Sequence, residues 1–389
     1  MVERVLVIGA GLIGTSVALA LRERGHQVWL TDRDPATAQL ACDLGAGLVA
    51  PDLRDAKGIA DVAVLAMPPD FVAAGLAIAQ ECAVADVYTD VASVKALPVS
   101  QARAAGCDLG SYVPGHPLAG REKQGPAAAR SDLFLGRTWA LCPLPETAPS
   151  AVDTIADLAL ACGAVPLRVD PRTHDEWVAL VSHAPHLVAV AVAARLAGPG
   201  VPARALQLAG QGLRDVTRVA AGDPALWTQI LAGNAGPVAA VLSAVAADLD
   251  AAARELAQAA SGGPASAADA GLASAADAGL ASATGAGPAS GLSAVTSLLG
   301  QGNAGVARIP GKHGGTSPEL AVVQVVLADQ PGELARLFHT AGEAGINIED
   351  IRIEHSPGLP VGVAELSVRP SAVAGLLDAM EAGGWPVRR

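Results

Sequence analysis

Aromatic residues are scarce: three Phe, two Tyr and five Trp in 389 residues, or 3% of the chain. With so few rings, the core must be packed from small aliphatic side chains. Ala and Val supply much of the 51% apolar fraction, a composition that fits helices laid on parallel strands. Lysine is rarer still, confined to Lys57, Lys95, Lys123 and Lys312, and the net charge is -12. No basic stripe is left to neutralise phosphates, which argues against a nucleic-acid partner. The five cysteines (Cys42, Cys82, Cys107, Cys142, Cys162) are odd in number and lack C-x-x-C spacing, so neither a disulfide framework nor a zinc site is expected, and reduced thiols in a cytoplasmic chain are. No cationic and apolar leader precedes the strand-forming run at Val5. The longest apolar stretch, Trp177 to Ala197, is broken by His183, Pro185, His186 and Arg195, which favours a buried helix over a membrane span. The expectation is a soluble protein.

The length favours several domains, and the pattern divides the chain into three. Over residues 1–170, β-branched runs (Val5 to Ile8, Val28 to Leu30, Asp61 to Ala66, Asp86 to Asp90) alternate with Ala/Leu-rich helical stretches, the mark of βαβ units in a doubly wound parallel sheet. From 171 to 312 the β signal disappears and the pattern is helical (Trp177 to Leu196, Ala203 to Ala209, Ala225 to Ala232, Ala235 to Ala257), apart from a low-complexity linker at about 259–291 in which AADAGLAS occurs twice. That linker buries too little to offset its chain entropy. Residues 319–389 read as strand (Leu320 to Leu327), turn, helix (Glu333 to Ala344), strand (Ile346 to His355), strand (Gly362 to Val368), helix (Ser371 to Ala382) and a short last strand near Pro386 to Arg388. This is the βαββαβ order of ferredoxin-like domains.

GAGLIG follows the first strand and opens a helix that runs to about Arg24. Gly9 permits the tight turn, Gly11 lets backbone approach a pyrophosphate above Leu12 and Ile13, and Gly14 allows close packing of helix on strand: a Rossmann-type loop. Asp32, at the end of the second strand, stands where an acid hydrogen-bonds a ribose 2'-hydroxyl, so NAD is expected over NADP. Its neighbour Arg33 reads either as a surface charge or as a group that tolerates a 2'-phosphate.

Three clusters carry candidate chemistry. In DVASVK, Ser93 and Lys95 are expected to face the nicotinamide end of the crevice, with a helix N-cap as the structural alternative for Ser93. In GHPLAGRE, His116 stands between Gly and Pro in a strand-end loop and has the titration range of a base for an alcohol. The third cluster is helical: SHAPH, then LRDVTR, then Trp227. His183 and His186 share one side of a helix if the turn survives Pro185. With no further ligands beside them, no metal is expected. One of Arg214 and Arg218 points into the cleft, the other pairing with Asp215 or solvent.

Taken in order, GAGLIG, DVASVK, GHPLAG-x-E, SHAPH, LRDVTR and the following Trp resemble the prephenate and arogenate dehydrogenases over roughly residues 1–312, and GHPLAG with LRDVTR is the specific part. The resemblance implies that His116 is the catalytic histidine, that Ser93 helps orient it, and that Arg218 grips a substrate carboxylate. It implies that Glu122, His186, Asp215 and Trp227 gate or shape the pocket, and that the helical domain dimerises. DQPG and Gly345-Ile346-Asn347 look like the loops of an ACT domain, which implies an amino-acid effector, tyrosine, beside Gly332 and Asn347. The expected reaction is oxidative decarboxylation of prephenate with NAD, with arogenate as the alternative substrate. A hydroxy-acid dehydrogenase would not explain GHPLAG with LRDVTR, and a non-catalytic NAD and amino-acid sensor would not need His116 and Arg218.

Overall fold

The computed structural model describes residues 2–120, 123–261, 292–310, 320–355 and 360–388. Residues 262–291, most of the expected linker, therefore lie outside the described residues, as does Glu122. The chain divides into two compact units, Met1–Val245 and Ala246–Arg389. The divisions expected near 170 and 312 fall inside them.

The first unit opens on six parallel strands: β1 (Arg4–Ile8), β2 (Gln27–Thr31), β3 (Leu48–Val49), β4 (Val62–Leu65), β5 (Val87–Asp90) and β6 (Tyr112–Val113). Their order, β3-β2-β1-β4-β5-β6, is that of a doubly wound dinucleotide-binding sheet, as the alternating pattern predicts. Helices α1 (Leu12–Glu23) and α2 (Pro35–Asp43) cover one face, where Val17, Leu21 and Ala38 pack on Val5 and Val7. α3 (Pro69–Glu81) and α4 (Ala96–Ala104) cover the other, where Val72, Leu76, Val99 and Ala102 pack on Leu6 and Leu65. A second, three-stranded sheet follows: β7 (Gly115–Pro117) antiparallel to β8 (Thr138–Leu141), which runs parallel to β9 (Val165–Arg168) across α5 (Pro149–Ala161). His116 is therefore a strand residue, not the loop residue the sequence predicts, because its backbone is paired with Ala140.

Asp170 caps α6 (Pro171–Val178) by accepting from the backbone of Arg172 and Thr173, with Pro at the first helical position. The apolar helix expected from Trp177 is instead α6, one π turn over Ala179–His183, and α7 (Ala184–Leu196). Pro185 has no N–H to give the preceding turn, and the backbone widens there. Helices α8 (Gln211–Arg218), α9 (Pro224–Gly233) and α10 (Ala235–Ser261) follow, while Ala203 to Ala209 yields only a short 3-10 turn at Ala205–Leu208. By length and composition both Pro171–Leu196 and α10 are apolar enough to cross a bilayer. On α10 only Val238 is buried, leaving Leu249 and Leu256 more than half exposed.

Across the linker, Glu255 of α10 accepts from the backbone of Ala294 and Val295 and from the Ser293 hydroxyl, capping α11 (Ser293–Val306). The last residues form β10 (Ala321–Ala328), α12 (Glu333–Glu343), β11 (Asp350–His355), β12 (Val361–Val368), α13 (Val373–Ala382) and β13 (Val387–Arg388). The antiparallel sheet has the order β11-β12-β10-β13, over a core of Val323, Val325, Leu337, Leu366, Leu376 and Met380. β11 starts later than the expected Ile346. Ile346 and Ile348 pack on the core, and pairing begins only at Asp350 opposite Ser367.

Candidate active site

The glycine loop has the form its spacing predicts. Gly9 adopts φ +110, and a Cβ there would lie 2.2 Å from the Ala66 carbonyl oxygen. At Gly14 a Cβ would lie 2.0 Å from the carbonyl oxygen of Gly9, so the close approach of α1 to β1 requires glycine at both positions. Gly11 differs: a Cβ there would meet nothing within 4 Å. No side chain caps α1 at Gly11, so the first amides of the helix lack an intrahelical acceptor. Asp32 turns its carboxylate to the loop, accepting from Ala10 N at 2.8 Å and from Asp34 N at 3.0 Å, while Arg33 is exposed.

At the end of β5 the chain buries a charge cluster. Lys95 is fully enclosed, its Nζ bonded to Asp90 Oδ1 and, at 2.6 Å, to the Gly115 carbonyl. Asp90 Oδ2 accepts from the Tyr112 hydroxyl at 2.6 Å, and Oδ1 accepts from Ala92 N at 2.8 Å. Lys95 therefore does not face the crevice as expected. It ties the small sheet to the large one at the residue before His116. Ser93 is half-buried and is not the cap of α4, a position held by Lys95.

His116 is 8% exposed. Its Nδ1 lies 2.9 Å from His174 Nε2, and His174 Nδ1 lies 2.8 Å from Asp175 Oδ1. Asp175 also accepts the amides of Lys95 and Ala96, each at 2.8 Å, and so caps α4 from α6. Burial, together with the neighbouring His174, Lys95 and His183, holds His116 well below the ordinary imidazole range, and it is neutral at neutral pH. Asn234 Nδ2 donates to the Asp175 carbonyl at 2.7 Å and lies 3.1 Å from His183 Nδ1. His183 is buried, and burial pushes it down to about 4.

His186 and His183 do fall on one side, both against Trp227. His186 stacks on the indole at 3.5 Å between centroids, and His183 meets it edge-on at 6.1 Å. A Cβ on Gly222 would sit 2.3 Å from Trp227 Nε1, so the stack depends on that glycine. The His186 ring also bonds the carbonyl of Val219, which follows Arg218 at the end of α8. Arg214, Arg218 and Asp215 are all exposed, and Asp215 accepts from Gln211 of its own helix at 2.9 Å. Among the described residues no three His, Cys, Asp or Glu side chains are placed to hold a metal.

In the C-terminal sheet domain, Gly332 has φ +90 as the N-cap of α12, and exposed Asn347 donates to Glu349 Oε1 at 2.9 Å. Glu333, next to Gly332, is bonded by Gln330, Arg336 and the Trp385 indole, which hold its carboxyl down to about 2.

Sequence reasoning missed His174, Asp175, Tyr112 and Asn234. The signal for the first two was the Asp170-Pro171 helix start, which places an adjacent His and Asp in the opening turns of α6. On a helix that pair reads as surface charge until the packing is known.

A family model described as prephenate dehydrogenase, nucleotide-binding domain, matches residues 17–167, and one described as prephenate dehydrogenase, dimerization domain, matches residues 170–262. The chain is 36% identical to the probable prephenate dehydrogenase NovF of Streptomyces niveus over 98% of both chains. The structure of prephenate dehydrogenase from A. aeolicus, in complex with hydroxyphenyl propionate and NAD+, is similar with a TM-score of 0.60 and 26% identity, over 67% of this chain and 92% of that one. Synechocystis arogenate dehydrogenase is similar with a TM-score of 0.56 and 29% identity, over 66% of this chain and 92% of that one.

Proposed function

The chain belongs to the prephenate dehydrogenase family and is an NAD-dependent oxidoreductase, and from that premise we propose that it oxidises prephenate to 4-hydroxyphenylpyruvate in tyrosine biosynthesis. The residues present fit the cofactor: Gly11 leaves room for a pyrophosphate against the uncapped start of α1, and Asp32 stands at the loop for a ribose hydroxyl. NAD+ supplies the hydride acceptor. The observation that carries the reading is His116, held neutral in a buried site with Nδ1 occupied by His174. Only Nε2 is left to take the proton of the substrate 4-hydroxyl as hydride departs from the same carbon. Loss of carbon dioxide then aromatises the ring, so the protein need only bind, orient and deprotonate.

Arg218 is assigned to a substrate carboxylate, a role supported by its place at the end of α8, one residue before the carbonyl that His186 holds. Ser93 helps orient His116, and Glu122, His186, Asp215 and Trp227 gate or shape the pocket. The dimerisation-domain match and the exposed apolar side of α10 support a homodimer. The division at 1–170, 171–312 and 319–389, and a cytoplasmic location, complete the proposal. The βαββαβ order and the left-handed Gly332 support an ACT domain that binds tyrosine beside Gly332 and Asn347 and lowers turnover.

The test is turnover of prephenate with NAD+, followed as NADH and 4-hydroxyphenylpyruvate. Faster conversion of arogenate to tyrosine would redirect the substrate assignment, and no turnover of either would overturn it. Titrating tyrosine into the same assay, with a chain ended near residue 315 as comparison, separates effector inhibition from competition at the active site.

A further inference from the structure

Two histidines and a carboxylate lie in line behind the reacting position: His116, His174 and Asp175 are 8%, 2% and 3% exposed. Asp175 accepts backbone amides on both oxygens, so it acts as an acceptor, and the proton in its contact with His174 Nδ1 belongs to the histidine. With that proton on Nδ1, His174 Nε2 is the atom turned to His116 as an acceptor. The 2.9 Å contact with His116 therefore requires the proton on His116 Nδ1 and leaves His116 Nε2 as a lone pair. The Asp175–His174 pair thus selects the one tautomer of His116 that can act as a base.

The same line of contacts offers a solution to a second problem. A cationic His116 is disfavoured in this buried site, close to Lys95 and His183. We propose that His174 and Asp175 form a proton relay that takes the charge away from His116 during oxidation, His174 acting as a positioning residue and proton acceptor behind the base. As the substrate O–H breaks, its proton bonds to His116 Nε2 and its electron pair remains on oxygen to form the carbonyl. The His116 Nδ1–H bond breaks in the same event, and that proton bonds to His174 Nε2. His116 ends neutral in the opposite tautomer, and the positive charge rests on His174 against the Asp175 carboxylate. After product leaves, loss of the Nε2 proton to solvent lets His174 return its proton and resets the pair. The hydride goes to NAD+, and no further oxidant or reductant is needed.

This relay rests on the assignment of His116 as base, and the experiment separates the two. In His174→Gln the amide oxygen can still accept from His116 Nδ1, but it cannot be protonated. The expected result is NAD affinity and prephenate KM within about 2-fold of wild type, with kcat lowered by about 100-fold, the scale of a lost acid-base step. In Asp175→Asn the neutral amide cannot balance a positive charge on His174, and a fall in kcat of up to about 10⁴-fold is expected, as when the carboxylate of a Ser-His-Asp triad is replaced by its amide. The hydride-transfer phase of a single turnover, measured across mixtures of light and heavy water, should show a curved dependence in wild type, for two protons in flight, and a linear one in His174→Gln. A linear dependence in wild type overturns the relay whether or not the variants fold. So does wild-type kcat in His174→Gln. If His116→Asn loses turnover while His174→Gln keeps it, only the relay fails; if His116→Asn keeps turnover, the base assignment itself fails.

Discussion

The neighbourhood of His116 and the C-terminal sheet domain both bury polar side chains, but they recruit them differently. Around His116, the partners Asp90, Lys95, Tyr112, His174, Asp175 and Asn234 come from four separate stretches of chain and interlock two sheets with the helical layer. In the C-terminal domain, Glu333 is satisfied chiefly by near neighbours, Gln330 and Arg336, with Trp385 completing the set. The first arrangement is expensive to disturb, because removing one partner strands another in the interior. The second can yield locally.

The largest expected effect follows from that difference. Lys95→Met leaves Asp90 and the Gly115 carbonyl without their buried donor, and it should destabilise the first unit by roughly 3–5 kcal/mol in chemical denaturation. A change within experimental error would mean the cluster is not what joins the two sheets.

Smaller effects sharpen the contrast within the glycine loop. Gly14→Ala should cost about 1–3 kcal/mol, since its Cβ would lie 2.0 Å from the Gly9 carbonyl oxygen. Gly11→Ala, with open space around the new methyl, should leave the melting temperature unchanged and weaken NAD binding. Equal losses of stability would remove the distinction between packing and cradle glycines.

Acid should act on the first unit through its histidines. Burial lowers His116, His183 and His186 below the ordinary value of 6.5, so in acid the unfolded chain binds protons that the folded chain refuses. The stability they contribute is complete above 6.5 and falls as pH drops from 6.5 towards about 4, the value reached by His183. Melting temperature against pH checks this, and a profile flat across that window would contradict it. Deleting residues 262–287 should matter least, because Glu255 already holds the start of α11 against α10 and shortening a loop changes closure entropy by only about 0.6 kcal/mol per twofold change in length. A large loss of melting temperature would show that the segment packs.

Local pattern carried much of this architecture, and long-range packing the rest. The glycine loop, the acid ending β2, the Asp170-Pro171 helix start and the βαββαβ rhythm are legible because each is set by neighbours a few residues away. The separate sheet holding His116 was not legible, since three-residue β7 becomes a strand only by pairing with Ala140 far along the chain. The inward turn of Lys95 was missed because its acceptors lie on Asp90 and Gly115, and a lone lysine after a strand reads as a cleft charge. His174 and Asp175 were missed because adjacency on a helix does not tell which face is buried. GHPLAG and LRDVTR marked His116 and Arg218, but not the residues behind them.

The central claim is that His116 is the base for prephenate oxidation, and kcat of His116→Asn with prephenate and NAD+ tests it most directly, with NAD binding measured on the same preparation. Normal NAD binding and a kcat lowered by about 100-fold or more are expected. Near-wild-type turnover would contradict it.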